Sequence, residues 1–153
     1  MSESCCSIPV VEGNAARCPA SGFEGRPVDW TTVAALAIGP VPPRQDFRLC
    51  RDPECEVVYY GSAGAVLRTE DLNVQPGFKE GRDGLVCYCF LHREADIARE
   101  LGERGTTDIF DSIKREVQAG NCACEVRNPS GKCCLGGVKE TIQRLEKDLG
   151  VTA

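Results

Sequence analysis

The stretch "VCYCFLHREADIARE", Val86 to Glu100, places two cysteines one residue apart, directly before a helical pattern. On a straight strand these two side chains would stand apart along the chain, and we expect the thiols of Cys87 and Cys89 to share one metal site only if the backbone turns there. Two such thiols would make up half of a four-ligand metal site. The other half must then come from elsewhere in the chain.

Cysteine is the residue type that sets this composition apart. The chain has 153 residues, and 11 of them are cysteines, which is well above ordinary usage. An even division of so short a chain leaves each half too small to bury a generous apolar core. The N-terminus "MSESCCSIPVVEGN" lacks the basic and apolar segments of a signal peptide. We therefore expect a cytoplasmic protein, in which thiols bind metal more often than they form disulfides.

Charge and motif content exclude several functional classes. Lys and Arg number 18 against 23 Asp and Glu, with no basic stripe, so nucleic acid is not an expected partner. The longest apolar run, "VAALAI" at Val33 to Ile38, is too short for membrane insertion. No Ser/His/Asp set, phosphate-binding loop or acid and base carboxylate pair stands out. We predict no catalytic residues and no enzyme activity other than, at most, the one-electron reduction of a metal ion.

The order of local patterns predicts an α+β fold with two modules. "FRLCRDPECEVVYYG" is typical of two short β-segments around a tight turn. After a stretch without cysteine, residues 56–86, three helices are predicted: about 92–103, about 108–119, and a third with apolar residues from Val138 to Leu149. Gln75 to Gly84 is rich in glycine and charge and is the predicted linker. The prediction is a β-rich module over 1–80, which binds zinc, and a three-helix module over 81–153.

The first cysteine group has the pattern of a zinc site. Cys50 and Cys55 bracket the turn "RDPE" between two β-segments, which can aim both thiolates at one ion. Structural zinc takes four ligands in a tetrahedron, with each sulfur at about 2.3 Å. Cys18 can supply a third ligand, and Cys5 or Cys6 the fourth. Such an ion would substitute for a core that the module is too small to build; the alternative is a set of scattered buried or reactive thiols.

The second cysteine group favours a [2Fe-2S] cluster, because two ligands on one turn can hold one iron while two others hold the second. Four cysteines compete for the two remaining places: Cys122, Cys124, Cys133 and Cys134. If the third helix extends back by one turn, Cys134 shares the face of Val138 and points inward, whereas Cys133 does not. The residues alone leave the choice between Cys122 and Cys124 open. The positive end of the helix dipole would also stabilise a negatively charged cluster.

The arrangement of these motifs resembles two known families. "VCYC", followed by two helices, a second cysteine pair and a closing helix, resembles the bacterioferritin-associated-ferredoxin type of [2Fe-2S] domain. "CRDPECEVVYYG", "VCYC" and "NPSGKCC", in this order, resemble the N-terminal region of the CopZ family of copper chaperones, which carries one zinc ion and one [2Fe-2S] cluster. The likeness spans roughly Cys18 to Gly150.

The resemblance implies two ligand sets. The implied cluster ligands are Cys87, Cys89, Cys124 and Cys134, and the implied zinc ligands include Cys18, Cys50 and Cys55. Where the family has a CPxC pair, this chain has "CPAS", with Ser21 in place of the second cysteine. We choose Cys6 as the fourth zinc ligand because it is nearer the fold than Cys5. The chain contains no CxxC motif, so we expect no separate copper-carrying module of the kind that the family appends.

The resemblance also implies a function in metal handling. Zinc would be structural, and the cluster would be a one-electron carrier that could reduce Cu(II) to Cu(I), the ion that soft thiolates hold best. Three spare thiols, Cys5, Cys122 and Cys133, could receive a soft ion or could be incidental. Expected partners are copper or another soft metal ion and a metal transporter or redox partner protein. The alternatives are a ferredoxin-like electron-transfer or regulatory partner without metal cargo, and a colourless protein with zinc sites only.

Overall fold

The computed structural model describes residues 16–151 and has an α+β fold, as predicted. The first half contains β1 (Arg26–Val28), α1 (Trp30–Leu36), β2 (Phe47–Leu49), β3 (Val57–Gly61) and β4 (Val66–Arg68). The second half contains β5 (Leu85–Cys87), β6 (His92–Arg93), α2 (Glu94–Arg104), α3 (Ile109–Gln118), α4 (Cys124–Arg127) and α5 (Leu135–Asp148). Within the described range, no helix is long and apolar enough to cross a bilayer.

The first half is built around a four-stranded antiparallel sheet in the order β1-β2-β3-β4. Strand β3, "VVYYG", consists of the β-branched and aromatic residues that suit a pleated surface, and its first four side chains are buried. Val58 and Tyr59 pack in the apolar core with α1. Val57 and Tyr60 pack instead in a second cluster with Cys18 and Cys50. The sheet therefore supports an apolar core and a thiol cluster at once.

The second half is a helical core beside a two-stranded hairpin. Helices α2, α3 and α5 bury the apolar residues that recur at helical spacing, among them Ile97, Ile113 and Leu145. The same core includes Cys87 and Cys134. Three helices thus lie where periodicity predicts them. The first begins later than predicted, at Glu94, because the two preceding residues pair with β5.

The two halves touch through α1 and the segment around α4. The Thr32 hydroxyl of α1 donates a hydrogen bond to the Glu125 carbonyl over 2.7 Å. From the sheet, the Tyr59 hydroxyl donates to the Pro129 carbonyl. These two bonds hold α4 and the loop that follows it against α1 and the sheet.

The segment predicted as a linker is a packed part of the fold. It contains two short 3-10 turns, Gly77–Lys79 and Gly81–Asp83, and Pro76 is fully buried before the first of them. The Gly77 N–H donates to the Tyr88 hydroxyl over 2.6 Å. The glycine is required there, because an added Cβ would lie 1.9 Å from the Leu85 carbonyl oxygen.

Candidate metal centres

Three thiols of the first half converge on one point. The sulfurs of Cys18, Cys50 and Cys55 all lie within 4.8 Å of one another, and those of Cys18 and Cys55 are 3.9 Å apart. A tetrahedral ion with sulfurs at about 2.3 Å separates them by ~3.8 Å. The observed spacing therefore fits zinc bound to thiolates, and all three cysteines are free thiols in the structure.

Two turns bring these thiols together. Cys18 begins a turn in which its carbonyl accepts a hydrogen bond from the Gly22 N–H at 2.9 Å, and Gly22 has a positive φ of 77° that favours glycine. Cys50 directly follows β2, and its N–H donates to the Val58 carbonyl at 2.8 Å. Between the strands, the Asp52 carboxylate accepts from the Glu54 N–H at 2.9 Å, which closes the turn that presents Cys55.

Lys79 supports this hairpin from the other side. Its ammonium donates to two carbonyls of the turn, that of Asp52 at 2.6 Å and that of Cys55 at 2.8 Å. Charge-assisted bonds of this kind are stronger than those between neutral groups. A cation close to a site of several thiolates also offsets their negative charge. No sequence motif distinguishes this lysine, because its partners are carbonyls 24 and 27 residues away.

The hydroxyl of Ser21 lies at the same thiol group. Its Oγ is 3.5 Å from the Cys50 sulfur, and the Phe23 N–H donates to it at 3.3 Å. Burial raises the pKa of Cys18, but hydrogen bonds from the Ser21 hydroxyl and from the Ser21 and Ala20 N–H groups bring that pKa below its usual value. Burial dominates at Cys50, whose pKa is raised. Of these two thiols, Cys18 therefore has the lower pKa.

Four thiols of the second half form two close pairs. Cys87 ends β5, the chain turns over residues 88–91, and Cys124 begins α4 while Cys134 directly precedes α5. The sulfurs of Cys89 and Cys124 are 3.7 Å apart, and the thiols of Cys87 and Cys134 are close enough for each to shift the pKa of the other. Each close pair joins one cysteine of the CxC turn to one from the later segment. That the CxC pair holds one iron stays a prediction of the sequence.

Backbone N–H groups point at these sulfurs. The Ala123 N–H donates to the Cys89 sulfur at 3.2 Å, and the Cys134 N–H partly offsets the effect of burial on the pKa of Cys124. The hydrogen bond from the Cys134 thiol lowers the pKa of Cys87 to about 6, and the same bond raises the pKa of Cys134. Burial raises the pKa of Cys124 to about 11. Oriented donors of this kind stabilise sulfur ligands that carry negative charge.

The remaining cysteines differ in exposure. Cys133 is exposed, whereas its neighbour Cys134 is only 4% exposed, in agreement with the helical periodicity of α5. Cys122 is half-buried and packs against the helical core. Cys5 and Cys6, the predicted spare thiol and fourth zinc ligand, lie outside the described residues. Within residues 16–151, the one group of three ligand atoms meeting the 4.8 Å distance is that of Cys18, Cys50 and Cys55.

Comparison with known proteins agrees with this geometry. A family model described as a zinc binding domain, of the CopZ type, matches residues 15–73, which include all three clustered cysteines. The chain is also similar to the solved CopZ N-terminal domain of Archaeoglobus fulgidus, with 27% identity and a TM-score of 0.62 over 90% of this chain and 99% of that chain. No curated protein matches the chain. The findings support a CopZ-like, metal-binding domain with a zinc site in its first half.

Proposed function

We propose that this chain is a metallochaperone-like protein that handles copper or another soft heavy metal and holds both a zinc ion and a [2Fe-2S] cluster. The observation that carries the proposal is the pairing of Cys89 with Cys124, at 3.7 Å, and of Cys87 with Cys134. These pairs occur in a chain that also clusters three other thiols. A zinc site in the first half does not by itself account for the second set of clustered thiols.

The zinc part of the proposal assigns a structural role to the first thiol group. Cys18 and Cys50 are buried beside Val57 and Tyr60, so an ion there would complete a cluster that is too small to be stable on apolar contacts alone. Cys18, Cys50 and Cys55 would be ligands, and a fourth ligand would close the tetrahedron. A closed site of thiolates in a small β-fold suits zinc better than copper or iron alone.

The cluster part of the proposal assigns Cys87, Cys89, Cys124 and Cys134 as ligands. A [2Fe-2S] cluster takes four cysteines, two for each iron, and two close thiol pairs meet that requirement. The Ala123 N–H donates to the Cys89 sulfur, and a bond of this kind offsets the charge of bound sulfur. The core around them, which includes Ile97 and Val138, limits contact with water.

When bound, the cluster would supply one electron at a time. Cu(II) that gains this electron becomes Cu(I), which thiolates bind preferentially. The exposed Cys133 and the half-buried Cys122, with Cys5, would be the thiols available to a soft ion. A redox partner would renew the electron, and a metal transporter would exchange the ion. Free thiols in this number favour the reducing cytoplasm as the place of action.

Metal analysis of variants at two neighbouring cysteines tests whether the chain binds the proposed cluster. Protein purified without oxygen should contain about two iron ions, two sulfides and one zinc ion per chain, with an EPR signal after reduction. Cys134→Ser should lose iron and sulfide but keep zinc. Cys133→Ser is the matched control, because it removes the neighbouring exposed thiol and should leave all three contents unchanged. A wild-type protein without iron would refute the assignment.

Titration with a soft ion separates the chaperone from the ferredoxin-like alternative. Cu(I) added to protein already loaded with zinc and iron should bind in competition with a chromophoric chelator. Cys133→Ser and Cys122→Ser, combined, should reduce the bound copper. If loaded protein binds no copper while its cluster remains reducible, the chain is an electron-transfer partner without metal cargo.

A further inference from the structure

The turn that carries Cys18 brings one more ligand-type atom to the zinc site. Cys18, Pro19, Ala20 and Ser21 form a tight turn, closed by the bond from the Gly22 N–H to the Cys18 carbonyl. The turn points the Ser21 hydroxyl toward the Cys50 sulfur, 3.5 Å away, and the same hydroxyl lowers the pKa of Cys18. In this fold, Ser21 therefore lies beside the clustered thiols.

The distance from the hydroxyl to sulfur is that of two ligands on one ion. Zinc binds sulfur at about 2.3 Å and oxygen at about 2.0–2.2 Å. At a tetrahedral angle, these bonds place oxygen and sulfur ~3.6 Å apart. The Ser21 oxygen and the Cys50 sulfur are 3.5 Å apart, and the Cys18 and Cys55 sulfurs are 3.9 Å apart. Both separations are those expected between two ligands of one tetrahedral ion.

The oxygens of Asp52, in the turn between Cys50 and Cys55, are already engaged. The Asp52 carboxylate accepts the Glu54 N–H within its own turn, and the Asp52 carbonyl accepts from Lys79. The Ser21 oxygen accepts one hydrogen bond, from the Phe23 N–H at 3.3 Å, and so keeps a lone pair for an ion. The Phe23 bond also fixes the hydroxyl in its position beside the thiols.

We propose that the Ser21 hydroxyl oxygen is the fourth ligand of the metal site formed by Cys18, Cys50 and Cys55. The inference rests on the proposed function of these thiols as a zinc site and adds the ligand that the sequence assigned to Cys6. The hydroxyl coordinates through a lone pair, and no bond within the chain is broken. The site then has three soft donors and one weaker oxygen donor. The oxygen is consequently the ligand that exchanges, and an incoming thiolate can displace it.

Zinc-edge X-ray absorption of the full chain tests the ligand set. The expected result is three sulfurs at about 2.3 Å and one oxygen at about 2.0–2.2 Å. Ser21→Cys should convert this to four sulfurs and slow the loss of zinc to a chelator at least several-fold. Ser62→Cys is the matched control, because it adds a thiol at an exposed turn of the same sheet and should change neither result. Cys6→Ser and Cys5→Ser should also leave the spectrum unchanged.

A second measurement identifies the source of the oxygen. In protein with cobalt in place of zinc, water enriched in oxygen-17 broadens the EPR signal only if water is a ligand. The wild type should show no broadening, and Ser21→Ala should show it, because solvent then fills the vacant position. Four sulfurs in the wild type, or broadening in the wild type, would overturn the assignment to Ser21. A wild type without bound zinc would instead refute the zinc site itself.

Discussion

Replacement of Gly131 should weaken the contact between the two halves of the fold. Gly131 lies in the loop between α4 and α5 with φ at +69°, and a Cβ there would be 2.5 Å from the Thr32 Oγ1. A side chain at positive φ costs about 1–2 kcal/mol. Thr32 is stiff at χ1, and a rotation to avoid the new methyl would break its bond to the Glu125 carbonyl, at about 1–2 kcal/mol. Gly131→Ala should therefore lower the free energy of unfolding by about 2–4 kcal/mol.

Gly120 is the matched control for the backbone part of this cost. Its φ is +78°, and nothing lies within 4 Å of an added Cβ, so Gly120→Ala should cost only about 1–2 kcal/mol. Urea unfolding, at fixed zinc and iron content because bound ions shift apparent stability, gives each value. Equal losses for the two alanine variants would contradict the proposed contact with Thr32.

A double-mutant cycle isolates the contact itself. Thr32→Ala removes Oγ1, and the nearest remaining atom to the new methyl is then the Thr32 Cβ, at 3.4 Å. The double variant should be less destabilised than the sum of the single variants by about 1–2 kcal/mol. Additivity within about 0.5 kcal/mol would show that the clash at Thr32 does not account for the cost of Gly131→Ala.

Two further substitutions test the supports of the sites. Lys79→Met should lose the bonds to the carbonyls of Asp52 and Cys55 and release zinc to a chelator faster than the wild type. Lys114→Met, at an exposed position of α3, is the control and should release zinc at the wild-type rate. Equal rates for the two variants would show that Lys79 does not support the zinc site. Tyr59→Phe should leave the buried Pro129 carbonyl without its hydrogen-bond donor. Urea unfolding should then show a free energy of unfolding lower by about 1–3 kcal/mol. An unchanged free energy would mean that water replaces the hydroxyl.

Periodicity and local turn chemistry predicted the parts of the fold that depend on near neighbours. The hairpin around Cys50 and Cys55 and the apolar faces of α2, α3 and α5 follow from residues within a few positions of one another. Helix α1 was not predicted, because its seven residues, "WTTVAAL", are too few to show a helical period and include β-branched residues. Its stability comes from packing against the sheet and α4, which the local sequence does not encode.

The candidate sites were only partly accessible to sequence reasoning. Spacing grouped the cysteines correctly into an early and a late set, but it could not give the cross pairing of Cys89 with Cys124, which depends on how two loops meet. Nor could spacing show that Ser21 lies beside the thiols, although the "CPAS" motif marked this position as a departure from the CPxC pair of the family. The segment containing Lys79 was predicted as a linker because glycine and charge are common in linkers. In the structure, the glycines belong to tight turns, and Lys79 donates two hydrogen bonds to a hairpin distant in sequence.

The contact between Thr32 and Glu125 has a consequence for the order of folding. The two residues are 93 positions apart, and Tyr59 and Pro129 are 70 apart, so closing these contacts orders a long stretch of chain. We expect each half to form its own core first and the two to dock last. During synthesis, the sheet and the thiols of Cys18, Cys50 and Cys55 can assemble before α4 leaves the ribosome. The first metal can then be captured while the second half is still being made.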